Sequence, residues 1–266
     1  MNNVKAQITD SLQRVGVVAG DTILLHSDAS LIMKLSQFEW WEEVLVLFYE
    51  CLETVLTDTG TLVVPTFNYD FCQGKPYDHE KTPSRLGFFT NYIRSHPRAV
   101  RSFHPILSFA SVGAKAHTLC DNVSKSSYGP NSVFDRLMLV NAKIIFFNAS
   151  FESCAFVHHV EQERNVNYRY RKYFTGEVSF RDKPYLDTFD FFVRDLDRDV
   201  KTYLEPLRHQ MEKENLIQCV QLSEGLILQT RCKDVYQQIS MALDKTTYFL
   251  LAHPPKPVSS RNMVKE

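Results

Sequence analysis

The chain has 266 residues, which is long enough for one large α/β domain with a complete core. Hydrophobic residues make up 44% and charged residues 23% of it, so a largely disordered chain is excluded. The formal net charge is −1, and no overall basic character indicates a nucleic acid or an anionic membrane as a partner. We therefore predict a single domain over 1–266, with a flexible tail from about residue 254.

The N-terminus, the apolar runs and the cysteines bear on the cellular compartment. Residues 1–16 contain no basic stretch followed by an apolar one, and no later apolar run is long enough to cross a bilayer. The six cysteines lack CxxC spacing, and most lie in apolar patterns: Cys51, Cys72, Cys120, Cys154, Cys219 and Cys232. We interpret them as reduced core residues, not as a disulfide framework or a zinc site. The prediction is a cytoplasmic protein without a metal.

Short apolar segments alternate with helical patterns along the first two-thirds of the chain. In order, the sequence predicts a strand at 22–27, a helix at 38–56, a strand at 61–64, a helix near 88–95, a strand within 107–112, a helix near 134–140, a strand at 143–147 and a helix near 154–164. Such alternation is typical of α/β folds with helical crossovers. The segment 66–85 interrupts it with turn-forming, aromatic and polar residues, and loops of this length are usually functional or mobile.

The last third of the chain has a more strand-like texture. It contains an alternating segment at 185–193, apolar runs at 217–222 and 226–229, a helical pattern near 234–243 and a strand-like run at 248–252. The turn Ser223-Glu224-Gly225 between the two apolar runs predicts a hairpin, which adds antiparallel strands to the sheet. Together these elements predict a three-layer α/β/α sandwich around a central mixed sheet.

The segment HHVEQE at 158–163 is the first of four places with reactive side chains. Residues three or four apart share a face of a helix, so His158 is predicted beside Glu161, and His159 beside Glu163. In either pair the carboxylate can fix the tautomer of the imidazole and leave its second nitrogen free to accept a proton. The spacing does not choose between the pairs, and a solvated helix face with charge pairs explains the same residues.

The segment RSFHPILS at 101–108 forms a second polar cluster. A residue before proline favours extended geometry, so the segment is predicted to be a fixed elbow leading into a strand. Four polar side chains there can line a cleft: Arg101, Ser102, His104 and Ser108. Hydrogen bonds from Arg101 and His104 to loop carbonyls explain them nearly as well.

The segment HSDAS at 26–30 follows the carboxyl end of the first predicted strand. Ligands of open α/β sheets bind beyond such strand ends, and exposed backbone N–H groups there suit a phosphate. Ser27 and Ser30 are the candidate contacts. Helix capping by these residues or by Asp28 is the alternative explanation.

The fourth place is RNVNYRYRKYF at 164–174, where basic residues alternate with tyrosines. Arginine forks match phosphate and aromatic rings stack on a base, so a nucleotide or coenzyme A is a fitting ligand. An exposed amphipathic strand, in which arginine stems cover apolar surface, explains the pattern equally well. The candidate acceptor contacts are Tyr168, Arg169 and Arg171, together with Tyr69 and Asp70 from the long loop.

Taken in order, these motifs resemble the aminoglycoside 3-N-acetyltransferase family, which includes acyltransferases that modify amino sugars. The order is HSDAS at 26–30, GTLVVPTF at 60–67, KTPSRLG at 81–87, RSFHPILS at 101–108, YGPNSVFDRL at 128–137, and KIIFFNA followed by VHHVE at 157–161. The resemblance covers roughly the first two-thirds of the chain, and the order is more specific than any one motif. It implies the family's α/β sandwich and acetyl-CoA or another acyl-CoA as co-substrate.

The resemblance also implies site residues. The family's His-x-x-Glu pair falls on His158 and Glu161, which selects this pair over its neighbour. The family's coenzyme contacts fall on two segments, which indicates Ser27, Ser30, Arg101, Ser102, His104 and Ser108. Beyond about Glu177 no family motif is matched, so the resemblance does not define the acceptor.

Local charge separates two acceptors. A polycationic aminoglycoside is best held by an acidic pocket, whereas this chain is near neutral and places four basic residues within 164–172. We therefore predict first an N-acyltransferase for a nucleotide-linked amino-dideoxy sugar of a surface polysaccharide. The alternative is an aminoglycoside 3-N-acetyltransferase that confers antibiotic resistance. The sequence is compatible with a homo-oligomer.

The predicted mechanism is direct transfer, in which the amine gives a proton to His158 as it attacks the thioester, while Glu161 holds the ring. Cys154 lies one helical turn earlier and is an alternative acyl carrier, but its apolar surroundings favour packing. A metal-dependent hydrolase is less favoured, because no third suitably spaced zinc ligand accompanies the histidines. A carbohydrate-binding module without enzymatic activity is the remaining class.

Overall fold

The computed structural model describes residues 2–36 and 38–257. The helices are α1 (Asn2–Arg14), α2 (Ser30–Ser36), α3 (Trp41–Leu56), α4 (Phe88–Arg94), α5 (Ala116–Cys120), α6 (Val133–Leu139), α7 (Val157–Glu163), α8 (Glu205–Lys213) and α9 (Cys232–Lys245). The strands are β1 (Thr22–Ser27), β2 (Thr61–Pro65), β3 (Tyr77–Asp78), β4 (Val100–Arg101), β5 (Phe109–Gly113), β6 (Lys143–Phe147), β7 (Arg169–Phe180), β8 (Lys183–Arg194), β9 (Gln218–Leu222) and β10 (Gly225–Arg231).

Seven strands form a central mixed sheet in the order β4-β5-β2-β1-β6-β10-β9. β1 pairs in parallel with both β2 and β6, and the outer strands are antiparallel to their neighbours. The three parallel strands are buried almost throughout, which is why they appear in the sequence as continuous apolar runs. Because β2 and β6 lie on opposite sides of β1, the order of strands reverses at β1, and a crevice forms beyond its carboxyl end.

Alternate residues of the parallel strands face two different helical layers. Leu24 and Ile144 belong to a core cluster shared with α5 to α9, whereas Leu25 and Ile145 belong to one shared with α1 to α4. The predicted three-layer α/β/α sandwich with a central mixed sheet is therefore confirmed.

A second, three-stranded sheet has the order β3-β7-β8. β7 and β8 have twelve residues each and pair along their whole length as a hairpin. Two serines fasten β8 to the loop before α6: Ser126 Oγ donates to Asp190 Oδ2 over 3.2 Å, and Ser127 Oγ donates to Asp190 O over 2.6 Å. The hairpin thereby brings its base, formed by Arg169 and Arg194, to the carboxyl end of the central sheet.

Most predicted elements agree with the structure. The strands at 22–27 and 143–147 have the predicted bounds, and the hairpin of the last third is confirmed as β9 and β10. The helix predicted from residue 38 begins at Trp41, since Trp40 is extended and Glu42 and Glu43 favour the first turn through the helix dipole.

Several features depart from the sequence prediction, among them the short helix α5 and the helix α8, which are not predicted. The strand at 248–252 is wrong, because the chain turns there and only an isolated bridge joins Leu251 to Thr202. Helix α1 is not predicted from the sequence, and neither is the separate three-stranded sheet. Of the predicted flexible tail, residues 254–257 have no regular structure, and 258–266 lie outside the described residues.

The cysteines and the helices bear on the compartment predictions. The six cysteines are free, as predicted, and four of them are buried, whereas Cys72 is half-buried and Cys219 is exposed. Across residues 2–36 and 38–257, no helix is both long enough and apolar enough to cross a membrane.

Candidate active site

A cavity of about 680 Å³ opens at the carboxyl ends of β1, β2 and β6. Its volume is typical of a small-molecule site, and its position is the crevice expected where the strand order reverses. Its wall includes His26, Ser27, Tyr69, His158, Arg169 and Arg194. Most of the remaining lining is apolar, so water has few partners there.

His158 and Glu161 lie one turn apart on α7, whose residues Val157 and Val160 face the core. His158 Nδ1 lies 2.6 Å from Glu161 Oε2. Because an ionised carboxylate only accepts hydrogen bonds, Nδ1 carries the proton and Nε2 keeps its lone pair. The His158 side chain is 21% exposed and lines the cavity. This is the arrangement of a general base with its orienting carboxylate.

Arg169 supplies the counter-charge for Glu161, which is completely buried. Arg169 Nε is 2.6 Å from the same Oε2 atom that pairs with His158. Burial raises the pKa of Glu161, but the charge of Arg169, together with His158, outweighs burial and holds that pKa below its usual value. Burial lowers the pKa of His158, and Arg169 lowers it further against the opposing effect of Glu161. At neutral pH the pair is therefore a carboxylate and an uncharged imidazole.

His159 faces away from the cavity. It is 3% exposed, and its Nδ1 donates to Tyr128 O over 2.6 Å. Its Nε2 lies 3.7 Å from Glu163 Oε2, and half of the Glu163 side chain is exposed. Of the two pairs allowed by the spacing, the structure thus places His158 and Glu161 at the cavity.

Residues of the HSDAS segment have two different roles: some line the cavity, and others make hydrogen bonds at the start of α2. Ser27 lines the cavity, whereas the Ser30 N–H donates to Asp28 Oδ1 over 3.0 Å at the start of α2. His26 also lines the cavity, although it is not among the site residues predicted from the sequence. Its ring stacks on Phe146 with centroids 5.2 Å apart, and burial lowers the pKa of His26 to about 4. His26 is therefore an uncharged aromatic wall residue.

The RSFHPILS elbow is held by its own polar side chains. Ser102 Oγ accepts the Phe109 N–H over 2.8 Å. Arg101 Nη1 donates to His79 O over 2.6 Å, and Arg101 Nε donates to Ser108 Oγ over 3.2 Å. These three residues of the elbow, Arg101, Ser102 and Ser108, are not among the residues that line the cavity. Their predicted contact with a coenzyme stays a prediction.

His104 uses both ring nitrogens within the elbow. Its Nδ1 accepts the N–H groups of Ile106 and Leu107 at 3.2 and 3.0 Å, and its Nε2 lies 3.4 Å from Ser127 Oγ. Since Ser127 already donates to Asp190 O, the His104 Nε2–H is the donor to Ser127. Burial lowers the pKa of His104 to about 4, so it stays uncharged.

The predicted acceptor contacts are dispersed. Tyr69 lines the cavity and stacks on Phe191 with centroids 6.0 Å apart. Asp70 instead pairs with Arg85 NH2 over 2.7 Å. Tyr168 is fully buried, and burial together with the charge of Glu161 raises the pKa of its hydroxyl far above the usual value.

The basic stretch 164–172 does not present four cations to the cavity. Arg164 pairs with Asp244, Arg171 is exposed on β7, and Lys172 Nζ lies over the Phe174 ring at 5.2 Å. Only Arg169 of these four basic residues lines the cavity, and Glu161 neutralises it. The exposed amphipathic strand weighed in the sequence analysis is thus the better description, and the charge argument for an anionic acceptor is wrong for this stretch.

Two charged residues of the cavity wall are missed by the sequence analysis. Arg194 ends β8, and within the described part of the chain no hydrogen bond or ion pair engages its guanidinium. Glu152 precedes α7, and its Oε1 accepts the Leu204 N–H over 2.6 Å. Both reach the cavity through long-range packing, for which the local sequence carries no signal.

Cys154 lines the cavity but is only 1% exposed. Burial raises the pKa of its thiol to about 12, so the thiolate needed for an acyl carrier is not formed at neutral pH. Among residues 2–36 and 38–257, no group of three or more histidine, cysteine or acidic side chains is placed to hold a metal ion.

Comparison with known proteins identifies the family. The model of the aminoglycoside 3-N-acetyltransferase family matches residues 25–243. This chain belongs to that family. The SPbeta prophage-derived aminoglycoside N(3′)-acetyltransferase-like protein YokD of Bacillus subtilis (strain 168) is 24% identical over 180 residues, which cover 59% of this chain and 64% of YokD. Aminoglycoside N(3)-acetyltransferase VII of Streptomyces paromomycinus is 26% identical over 180 residues, with 59% of each chain covered.

This member of the aminoglycoside 3-N-acetyltransferase family thus spans 59% to 64% of the length of these two relatives. A solved structure, AAC-IIIb in a binary complex with CoASH, matches it with a TM-score of 0.75 at 16% identity. The match covers 91% of this chain and 96% of AAC-IIIb, and it confirms the fold. The resemblance drawn from the ordered motifs is therefore confirmed.

Proposed function

We propose that this protein is a coenzyme A-dependent N-acetyltransferase whose acceptor is an amino group of an aminoglycoside. The observation that carries the proposal is the His158–Glu161 pair, an uncharged imidazole held by a buried carboxylate at the wall of the cavity. Family membership supplies the reaction class, and the names of the curated relatives favour this acceptor over the nucleotide-linked sugar ranked first from the sequence.

The chain's residues supply proton transfer and orientation. An amine must lose a proton when it attacks a thioester carbonyl, and His158 Nε2 takes that proton while Glu161 stabilises the resulting imidazolium. His158 then returns the proton to the departing thiolate. A C–N bond forms, a C–S bond breaks, and free coenzyme A is released, so the step balances without a covalent enzyme intermediate.

The donor in this proposal is acetyl-CoA, which supplies the acetyl group as a thioester. The residues present fit such a molecule. Arg194 offers an unengaged guanidinium that suits a phosphate, and Ser27 offers a hydroxyl at the carboxyl end of β1. The largely apolar remainder of the wall suits the methylene groups of a pantetheine arm.

One observation favours a nucleotide-linked amino sugar as a second candidate acceptor. Among the described residues that line the cavity, Glu152 carries the one carboxylate, and one of its oxygens already accepts a backbone hydrogen bond. Glu161 is buried beside His158, and Arg169 balances its charge. A polycation finds few partners in such a wall, whereas Arg194 attracts a diphosphate.

A donor and acceptor panel tests both candidates. Purified protein is incubated with acetyl-CoA and either aminoglycosides or nucleotide-linked amino-dideoxy sugars, and free thiol release is measured. The His158→Ala variant is the control for release that does not require the site. Turnover of an aminoglycoside supports the proposal, turnover of sugar nucleotides alone selects the second candidate, and no acceptor-dependent thiol release from any combination contradicts both.

A further inference from the structure

We infer that Arg169 is a positioning residue, which holds the buried His158–Glu161 pair in its proton-accepting form, and not an acceptor contact. The kinetic part of this inference rests on the proposed function, but its spectroscopic part does not. His158 and Arg169 share one oxygen of Glu161: His158 Nδ1 and Arg169 Nε both lie 2.6 Å from Oε2.

The guanidinium of Arg169 is fixed from several sides. Its side chain is 6% exposed and begins β7. Besides the contact with Glu161, Arg169 Nη2 donates to Thr202 Oγ1 over 3.3 Å, and Nη1 donates to Phe192 O over 3.5 Å. Contacts from α7, β8 and the segment after β8 therefore converge on one cation. A side chain fixed in this way is suited to orient Glu161 and poorly suited to follow a ligand.

The surroundings of the pair contain few other charges. The titratable and charged groups that face it are Tyr128 from the loop before α6, Tyr168 and Arg169 from the start of β7, and Arg194 from the end of β8. Burial raises the pKa of both tyrosine hydroxyls, so they stay uncharged. Arg194 is exposed, and solvent screens its charge. Arg169 is therefore the buried cation that balances Glu161.

Without this cation, the pair would bind a proton more tightly. A buried carboxylate disfavours its charged form, and an imidazole beside an unbalanced carboxylate favours its protonated form. The two groups titrate as a unit, so the extra proton resides on the pair whichever group carries it. A pair that has taken up this second proton, besides the one on His158 Nδ1, cannot accept another from an amine. Because a guanidinium stays charged at all relevant pH values, Arg169 keeps the second proton off the pair.

The test compares the pH dependence of kcat/KM in three proteins. In Arg169→Met, the acid limb moves to higher pH by about one unit or more, the shift typical of removing a nearby opposite charge. In Arg169→Lys the limb stays near its wild-type position, because the charge is kept. An unmoved limb in Arg169→Met, with a raised KM for the acceptor, contradicts the inference and makes Arg169 an acceptor contact.

Lys143→Met is the matched control. Lys143 is also 6% exposed, and its Nζ lies 2.5 Å from Asp21 Oδ2, but it lies at the amino end of β6, at the opposite edge of the sheet. Its loss breaks a comparably buried ion pair without touching the site. We expect Lys143→Met to lose stability but to keep the wild-type acid limb of kcat/KM. An equal shift of the acid limb in Lys143→Met and Arg169→Met contradicts the inference.

Two further measurements apply if the protein turns over no acceptor or if Arg169→Met does not fold. If no acceptor is turned over, the proposed function fails, and NMR titration of the His158 ring in wild type and Arg169→Met still decides the inference through the same upward shift. If Arg169→Met does not fold, Arg169→Gln replaces it, because the neutral amide still donates hydrogen bonds while the charge is removed. The same upward shift of the His158 titration is expected in Arg169→Gln, and an unmoved titration contradicts the inference.

Discussion

Helix α7 and the 101–108 elbow each carry a histidine from a family motif, and the two histidines differ in the hydrogen bonding of their ring nitrogens. In His158, Nδ1 is hydrogen-bonded to Glu161, and Nε2 has no such partner among the described residues at the cavity wall. In His104, both ring nitrogens are hydrogen-bonded, because Nδ1 accepts two backbone N–H groups and Nε2 donates to Ser127. The comparison shows that a histidine motif forms a reactive site only where the fold leaves one ring nitrogen without a hydrogen-bond partner.

The largest effect is expected for His158→Ala. General base catalysis contributes about 10²–10⁴-fold, so kcat is expected to fall by that factor while donor binding persists. Steady-state kinetics and calorimetric titration with coenzyme A measure the two quantities. If His159→Ala lowers kcat strongly and His158→Ala lowers it only slightly, the assignment of His158 as the base is wrong.

A smaller loss is expected for Glu161→Gln, because the imidazole remains but its charged partner does not. A hydrogen bond to a charged group is worth about 1.5–3 kcal/mol, which corresponds to roughly a tenfold to hundredfold loss of kcat. Circular dichroism controls for folding. A wild-type rate in this variant removes Glu161 from the mechanism.

The elbow histidine is expected to affect stability and not chemistry. His104→Leu leaves the Ile106 and Leu107 N–H groups without their acceptor, and each buried donor left unsatisfied costs about 1–3 kcal/mol. Thermal unfolding should therefore show a lower Tm, with the KM for acetyl-CoA near that of wild type. An unchanged Tm with a raised KM for acetyl-CoA contradicts this outcome and supports the coenzyme contact predicted from the sequence.

The smallest effect is expected for Cys154→Ala. The buried thiol has a pKa of about 12, so no thiolate carries the acetyl group, and kcat should stay within about threefold of wild type. Intact-mass measurement after incubation with acetyl-CoA, without acceptor, should show no acetylated protein. An acetyl adduct that disappears in this variant overturns direct transfer.

The sequence predicts the parts of the fold and site that depend on local pattern. The parallel strands are apolar throughout because both of their faces are buried, and 22–27 and 143–147 are therefore read correctly. The His158–Glu161 pair follows from helical spacing, although the family resemblance is needed to select it over His159 and Glu163.

The remainder depends on long-range packing that the local pattern does not encode. The alternating basic and tyrosine residues at the start of β7 are compatible with an exposed amphipathic strand, but they do not show which strands β7 pairs with, and the three-stranded sheet is missed. The placement of Arg194 in the cavity wall follows from the pairing of β7 with β8. Whether Ser102 and Ser108 face a ligand or bond backbone groups, here the Phe109 N–H and the Thr66 carbonyl, depends on how the elbow packs, which is visible only in the structure.

The proposed role of His158 requires an uncharged ring whose proton lies on Nδ1. ¹⁵N NMR of histidine-labelled protein measures this state, with the His158 signals assigned through their loss in His158→Ala. Because burial and Arg169 lower the pKa of His158 below the ordinary histidine value of about 6.5, less than half of the His158 rings should be protonated at pH 6.5. We expect a neutral ring at pH 7 with a protonated Nδ1 and an unprotonated Nε2. An imidazolium at pH 7, or a neutral ring with its proton on Nε2, would contradict it.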